Sequence, residues 1–223
     1  MSKTLALIHT SMVFLTKETM MQDLFKEIMP DVRLINIVDD SLLPDTMAAG
    51  HVTKACIDRM NHYVKAAEQT GADAVFSLCS SLGPAIDIAR KTVDIPVVKI
   101  DDAMTQAAVE KGGIIGVMAT VETTLEPTIA LIQEKAAKAQ KNIEIIPSLV
   151  EGAFEKLMAG DKDSHDFMVA EKAKSIKDQV DTIVFAQASM TRLASSISES
   201  TDLPVFTSPR LGIEYIHKVL QSV

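Results

Sequence analysis

A nine-residue pattern occurs twice, and it constrains the fold more than anything else in the chain. Asp73-Ala-Val-Phe-Ser-Leu-Cys79-Ser-Ser81 is echoed in the second half by Asp181-Thr-Ile-Val-Phe-Ala-Gln187-Ala-Ser189. In both, an aspartate opens a short apolar run, a chemically capable side chain ends it, and a serine follows two residues on. Short apolar runs bounded by turn-forming residues read as buried parallel strands. After the first copy, Ser80 and Ser81 lead into Gly83-Pro84, a helix opening in which proline is tolerated because the first-turn N–H has no partner to lose. Cys79 and Gln187 therefore stand at the carboxyl ends of equivalent strands, in a chain built twice.

The remaining sequence supports that duplication. Leu5 to His9 reads as the first strand, and Lys17 to Ile28 as a helix with Met20, Met21, Leu24, Phe25 and Ile28 at helical spacing. Val32 to Val38 is a second strand; Asp39 to His51 is a loop or broken helix of the kind that often covers a site. Val52 to Thr70 is a helix with Cys56 on its apolar face, which makes Cys56 a small packed residue. After a helix through Lys91 come the strand Ile95 to Ile100 and the helix Ala103 to Lys111, capped by Asp101-Asp102. Gly112 to Thr120 then opens the second half as Leu5 to Thr10 opens the first. Its glycines precede and enter the strand, so they are not a dinucleotide-binding turn. A helix starting near Leu125, the strand Ile143 to Val150, a short helix Glu151 to Gly160 and a polar helix Asp161 to Gln179 follow, with His165 expected to face solvent. Thr182 to Ala186, the helix Met190 to Ser200, the strand Leu203 to Thr207 and an amphipathic helix complete the chain.

Strands alternating with helices imply parallel sheets covered on both faces. The expected fold class is α/β: two pseudo-symmetric flavodoxin-like halves, each a parallel sheet flanked by helices, with the active site between them. The halves are 1–104, carrying Cys79, and 105–223, carrying Gln187, with the last helix able to pack back on the first.

Composition narrows the function. A net charge of −8 without a basic cluster argues against nucleic acid and anionic membrane as partners. Two cysteines, Cys56 and Cys79, give neither a disulfide framework nor a zinc site. No run of 18 apolar residues and no signal peptide is present, so the expectation is a soluble, cytoplasmic protein. Such a chain can still hold a small anionic substrate through local backbone N–H groups; no cofactor and no metal are expected, and homo-oligomerisation is left open.

The carboxyl end of a parallel strand beside a helix N-terminus is where open α/β sheets bind ligands, and where N–H groups favour an anion or a thiolate. Cys79 occupies such a place, although a buried core cysteine would fit the same run. His9-Thr10-Ser11 ends the first strand and is a candidate for contacting a carboxylate, with His9 taken by itself reading first as a satisfied structural histidine. Thr120 and Thr123 sit in the turn after the strand that opens the second half, where three threonines exceed what one helix cap needs. Asp39 and Asp40 read as acid–base groups or as a solvated acidic turn.

On these residues the chain resembles the aspartate/glutamate/hydantoin racemase superfamily over nearly its whole length. The resemblance implies two cysteines at equivalent strand ends, facing each other across a small carboxylate. It also implies a polar substrate-binding turn after the first strand and a Thr-x-x-Thr turn, matched by Thr120 and Thr123, that contacts the carboxylate. Gln187 stands where the second thiol would be, and glutamine does not exchange protons near neutral pH. The expected catalytic residue is Cys79; the expected substrate-binding residues are His9, Thr10, Ser11, Ser80, Ser81, Thr120, Thr123, Gln187 and Ser189. A one-cysteine member would carry out isomerisation, decarboxylation or lyase chemistry at the carbon next to the carboxylate. The alternatives are a two-base amino-acid or hydantoin racemase whose second base is not cysteine, His9 being first suspect, and a non-catalytic carboxylate-binding protein.

Overall fold

Every strand among the described residues runs parallel to its neighbours. β1 (Thr4–His9), β2 (Arg33–Val38), β3 (Ala74–Ser77) and β4 (Val97–Lys99) form one sheet in the order β2-β1-β3-β4, and β5 (Gly113–Ala119), β6 (Ile143–Leu149), β7 (Thr182–Phe185) and β8 (Val205–Thr207) form another as β6-β5-β7-β8. This computed structural model describes residues 3–16 and 19–223, so Lys17 and Glu18, at the start of the second expected element, lie outside the described residues.

The helices are α1 (Val13–Thr16), α2 (Met20–Ile28), α3 (Leu42–Ala49), α4 (Lys54–Gln69), α5 (Gly83–Ala89), α6 (Asp102–Lys111), α7 (Glu122–Lys138), α8 (Ala153–Met158), α9 (Lys162–Ile176), α10 (Ala194–Thr201) and α11 (Ser208–Gln221). The chain divides into two compact units, Met1–Ile100 with Pro209–Val223, and Asp101–Ser208. The division thus falls a little before residue 104, and α11 belongs with the first unit.

In the first unit β1 is buried along its whole length, as a central strand covered on both faces must be. Its alternating side chains feed two cores. Ala6 and Ile8 join Val75, Met60, Val64 and Ile86 on one face, while Leu5 and Leu7 join Phe76, Met21, Phe25 and Ile216 on the other. Gly212 lets α11 lie close on this second face, since a Cβ there would stand 2.5 Å from the backbone oxygen of Ile100. The second unit builds its core from Met118, Ile183 and Phe185 against Val169, Ala173 and Ile176 of α9.

The repeated aspartate has a structural cause. The carboxylate of Asp73 accepts the backbone N–H of Thr4 at 2.7 Å, and that of Asp181 accepts the N–H of Ile114, also at 2.7 Å. Each ties the entry of the third strand in its sheet to the start of the central strand, fixing register. A Cβ at Gly113, whose φ is +80°, would collide with the Asp181 carboxylate, which accounts for a glycine at the entry of β5.

Four local expectations are corrected. The stretch Asp39 to His51 contains a continuous helix, α3, with Pro44 in its first turn, where no intrahelical N–H is required. Asp101 precedes α6, but its side chain makes no capping bond. α7 begins at Glu122, with Val121 as its N-cap, so Thr123 and Thr124 lie within the first turn and do not cap it. His165 is fully buried, because it shares one face of α9 with Val169, Ala173 and Ile176.

Candidate active site

In the first unit the chain stays extended past β3 through Cys79 (φ −137°, ψ 114°), then tightens into a 3-10 turn, Ser80–Leu82, that runs into α5. Cys79 is half-buried; Ser80, Ser81 and Thr10 are buried around it. The Thr10 and Ser81 hydroxyls and the backbone N–H groups of Ser81 and Leu82 surround the Cys79 sulfur as donors, and the Leu82 N–H also donates to the Cys79 carbonyl at 3.3 Å. Burial is the largest influence and pushes the thiol up; the four donors pull it back only in part. Sequence position suggested a stabilised thiolate, but these donors are all neutral and desolvation outweighs them. Burial thus favours the thiol over the thiolate at Cys79.

His9 does not join this group. Side chains alternate along β1, so His9 points to the face opposite Thr10's neighbour Ile8, where its Nε2 meets Asn36 Oδ1 at 2.9 Å. Burial lowers its pKa, against a smaller opposing effect of the Asn36 bond. Ser11 is half-buried and accepts the N–H of Val13 at 3.2 Å, holding the start of α1.

α3 packs against the Ser80–Leu82 turn, and it is clasped to α4 by one residue. Arg59 donates to Asp45 at 2.6 Å, to Ser41 at 2.7 Å and to Asp39 at 3.1 Å, while the Tyr63 hydroxyl donates to Asp39 at 2.7 Å. Asp39 is therefore part of a structural clasp, which neither the acid–base reading nor the solvated-turn reading described. Cys56 lies beneath it without solvent exposure, its sulfur 3.3 Å from the Thr53 hydroxyl, 3.7 Å from that of Thr46 and 3.7 Å from Arg59. Burial pushes this thiol up, yet the surrounding donors outweigh it and the net shift is downward. The apolar spacing that placed Cys56 in the core gave no sign of this network; Arg59, one turn along α4, was the available signal.

The second unit repeats the arrangement with different chemistry. Gln187 follows β7 in an extended conformation (φ −129°, ψ 135°), and a 3-10 turn, Ala188–Leu193, comes next. Its Oε1 accepts the backbone N–H of Thr120, the Thr120 hydroxyl at 3.1 Å and the N–H of Val121 at 3.2 Å. Three donors on one atom identify it as the carbonyl oxygen, leaving the amide NH2 as the end free to meet a ligand. The Thr123 hydroxyl, in the first turn of α7, is buried and has no hydrogen-bond partner among the described residues. Ser189 is half-buried, and its carbonyl accepts from Arg192. Arg192 also binds Asp166, which holds the buried His165 through Nδ1 at 2.8 Å. This cluster behind the Gln187 turn was not expected, although the spacing of His165 with Val169 and Ala173 would have shown that it faces inward.

Among the described residues no group of three or more His, Cys, Asp or Glu side chains could hold a metal ion. No helix of the described residues is long and apolar enough to cross a membrane.

Two α/β units of one strand order, each with a polar turn after its first strand and a capable side chain after its third, form a fold found in solved structures. Glutamate racemase from Francisella tularensis in complex with D-glutamate superposes with a TM-score of 0.75 at 16% identity, over 99% of this chain and 82% of that one. Aspartate racemase from Picrophilus torridus gives 0.72 at 14%, over 98% and 94%. A glycine-to-cysteine variant of arylmalonate decarboxylase gives 0.63 at 14%, over 98% and 93%. No curated protein matches the chain. The Asp/Glu/hydantoin racemase family profile matches residues 16–216, and the chain belongs to that family.

Proposed function

We propose that the protein is an enzyme acting on a small carboxylic acid without a cofactor, in which Cys79 delivers a proton to the carbon next to the carboxylate. Decarboxylation of a substituted malonate-type acid is the reaction favoured. The observation that supports this reading is that a thiol, Cys79, and a non-titrating amide, Gln187, follow the equivalent strands β3 and β7 in the same extended conformation; burial, which raises the Cys79 thiol, favours its protonated form. Racemisation needs a base to take a C–H proton and an acid on the other face. Decarboxylation needs only the acid. When the C–C bond breaks, its electron pair stays on the α-carbon as CO2 leaves; the Cys79 S–H proton then moves to that carbon, and water returns a proton to the thiolate.

The remaining carboxylate must be neutralised as the carbanion forms, which calls for N–H and hydroxyl donors. In the first unit Ser80 and Ser11 would supply them, and in the second the Gln187 amide and the Thr123 and Ser189 hydroxyls; the hydroxyls of Thr10, Ser81 and Thr120 are directed at Cys79 and Gln187 instead. Isomerisation by thiol addition needs a thiolate, and the upward shift of Cys79 disfavours it. A two-base racemase loses its first suspect, since His9 is turned to Asn36.

The test is to offer an arylmalonate, aspartate, glutamate and allantoin in deuterated water. Release of CO2 with one deuterium in a single product enantiomer supports the proposal, provided Cys79→Ser abolishes it. Exchange of solvent deuterium into both enantiomers of an amino acid or of allantoin overturns it in favour of a two-base racemase. Binding of these acids without turnover would leave a carboxylate-binding protein.

A further inference from the structure

Arg59 is not among the donors to Cys79, yet both groups of those donors stand on segments that it holds. α4 gives it a firm base, since Cys56, Met60, Val64 and Ala67 bury one face of this helix in the core shared with Ile8 and Val75. From there Arg59 reaches two supports. One is α3, held through Asp45 at 2.6 Å and through Ser41, just before the helix, at 2.7 Å. Leu42 of α3 is fully buried in the same core as Leu82, and Cys79 packs against that core. α3 thus lies on the Ser80–Leu82 turn, which supplies the Ser81 hydroxyl and the Ser81 and Leu82 N–H groups to the sulfur. The other support is Asp39, after β2. Its carboxylate accepts from Arg59 at 3.1 Å and from the Tyr63 hydroxyl at 2.7 Å, and its backbone N–H donates at 3.1 Å to the carbonyl of His9, one residue before Thr10.

We propose that Arg59 is a positioning residue for Cys79, setting through α3 and Asp39 the two groups of donors that face the sulfur, the Ser80–Leu82 turn and Thr10. An arginine suits this task because its planar fork holds several acceptors at once, where a lysine offers a single point charge. α3 needs such a tie: it buries only Leu42 and Thr46, so packing alone fixes it weakly. Donors aimed at a reacting group act only while they are held in place, and a displacement of about 1 Å can cost about 10²-fold in rate. Arg59 would therefore act on the reaction without touching the substrate. The role rests on the proton-donor reading of Cys79 only where turnover is measured.

The test compares Arg59→Met, in the full chain, with Asp73→Ala, which weakens the same unit at the opposite end of β3 from Cys79. Both are labelled with iodoacetamide at pH 7, well below their melting temperatures. Burial is the largest influence on the Cys79 thiol, so freeing the turn and Thr10 lets water reach the sulfur. Labelling of Cys79 should quicken about fivefold in Arg59→Met and stay within about twofold in Asp73→Ala, with Cys56 unlabelled in both. Asp45→Asn, which breaks the α3 arm alone, should quicken it about twofold, and decides by itself should Arg59→Met fail to fold. With the acid that the parent turns over, kcat should fall about tenfold in Arg59→Met and hold within about twofold in Asp73→Ala. An unchanged or slower Cys79 rate overturns the proposal, as does an equal gain in Asp73→Ala or at Cys56, since either means that the whole unit has loosened. A parent that turns over none of the acids removes the reaction proposed above and leaves the labelling to decide the role of Arg59.

Discussion

Thr120 gives both its backbone N–H and its hydroxyl to the side-chain carbonyl of Gln187. Thr10, at the equivalent place in the first unit, gives its hydroxyl to the sulfur of Cys79. One polar turn thus supports two different groups. Sulfur can hold or release a proton when the donors around it change; the amide oxygen can only accept. The duplicated scaffold is kept, with a thiol after the third strand of one copy and an amide after that of the other.

The two cysteines should separate cleanly under alkylation. Cys79 is half-buried and Cys56 has no exposure, so iodoacetamide should label Cys79 in the folded protein and Cys56 only after unfolding. Because the Cys79 thiol is shifted up, labelling should be slow at pH 7 and rise about tenfold per pH unit through the ordinary cysteine value of about 8.5. Peptide mapping reads the site. A rate already flat below pH 8 would contradict a protonated Cys79, and faster labelling of Cys56 would remove the site assignment.

Arg59 should matter for stability, and more so at neutral than at acid pH. Arg59→Met removes the donors to Asp39, Asp45 and Ser41, and leaves Asp39 partly buried with only Tyr63 and Ser41. The expected cost is about 1–2 kcal/mol. At Asp39 burial works upward, but the bonds from Ser41, Tyr63 and Arg59 outweigh it and hold the carboxyl below its ordinary value. A depressed carboxyl contributes stability above the unfolded-state value of about 3.9 and loses it as pH falls through the folded value. Thermal melts of parent and variant should therefore differ most at pH 6–7 and converge below pH about 3. A difference that stays constant with pH would assign the effect to packing alone.

Asp73→Ala and Asp181→Ala should cost similar amounts, since each removes one charge-assisted bond to a backbone N–H and the further Lys3–Asp73 pair at 3.1 Å is partly exposed to solvent and contributes little. With about 1 kcal/mol for each bond, Tm should fall by about 2–4 °C in either variant. A marked loss for only one of them would show that the repeated aspartate serves different ends in the two units.

The architecture was legible because it rests on patterns with short range. The strand ending at Cys79, its echo ending at Gln187 and the alternation of elements were all present as runs of apolar residues between turn formers. What escaped was decided by partners far along the chain. Nothing around His9 points to Asn36, and nothing in the apolar face of α4 shows that Cys56 meets Thr46. The direction of the Cys79 shift was also hidden: a strand end beside a helix start supplies donors, but how far burial opposes them depends on the packing of Thr10 and Ser81 about the sulfur. The helix starts at Leu42 and Glu122 were missed because Pro44 and the threonine run resemble loop signals, although proline and threonine are both tolerated in a first turn.

The sharpest prediction concerns the missing second thiol. If Cys79 alone supplies the proton, Cys79→Ser should reduce turnover of the active acid by at least about 10³-fold, because a hydroxyl is a far weaker acid than a thiol. Affinity should change little, since the serine and threonine donors remain. Gln187→Cys should act differently. It frees the Thr120 hydroxyl and the N–H groups of Thr120 and Val121 from the Gln187 carbonyl, and it places a titrating group at the strand end that now lacks one. With an α-chiral acid in deuterated water, this variant should incorporate deuterium into both enantiomers, while the parent yields one; chiral chromatography with mass spectrometry measures both. A Gln187→Cys protein that remains folded, still depends on Cys79, and yet forms a single enantiomer would show that the Gln187 strand end has no access to the reacting carbon, and the division of labour between the two copies would have to be withdrawn.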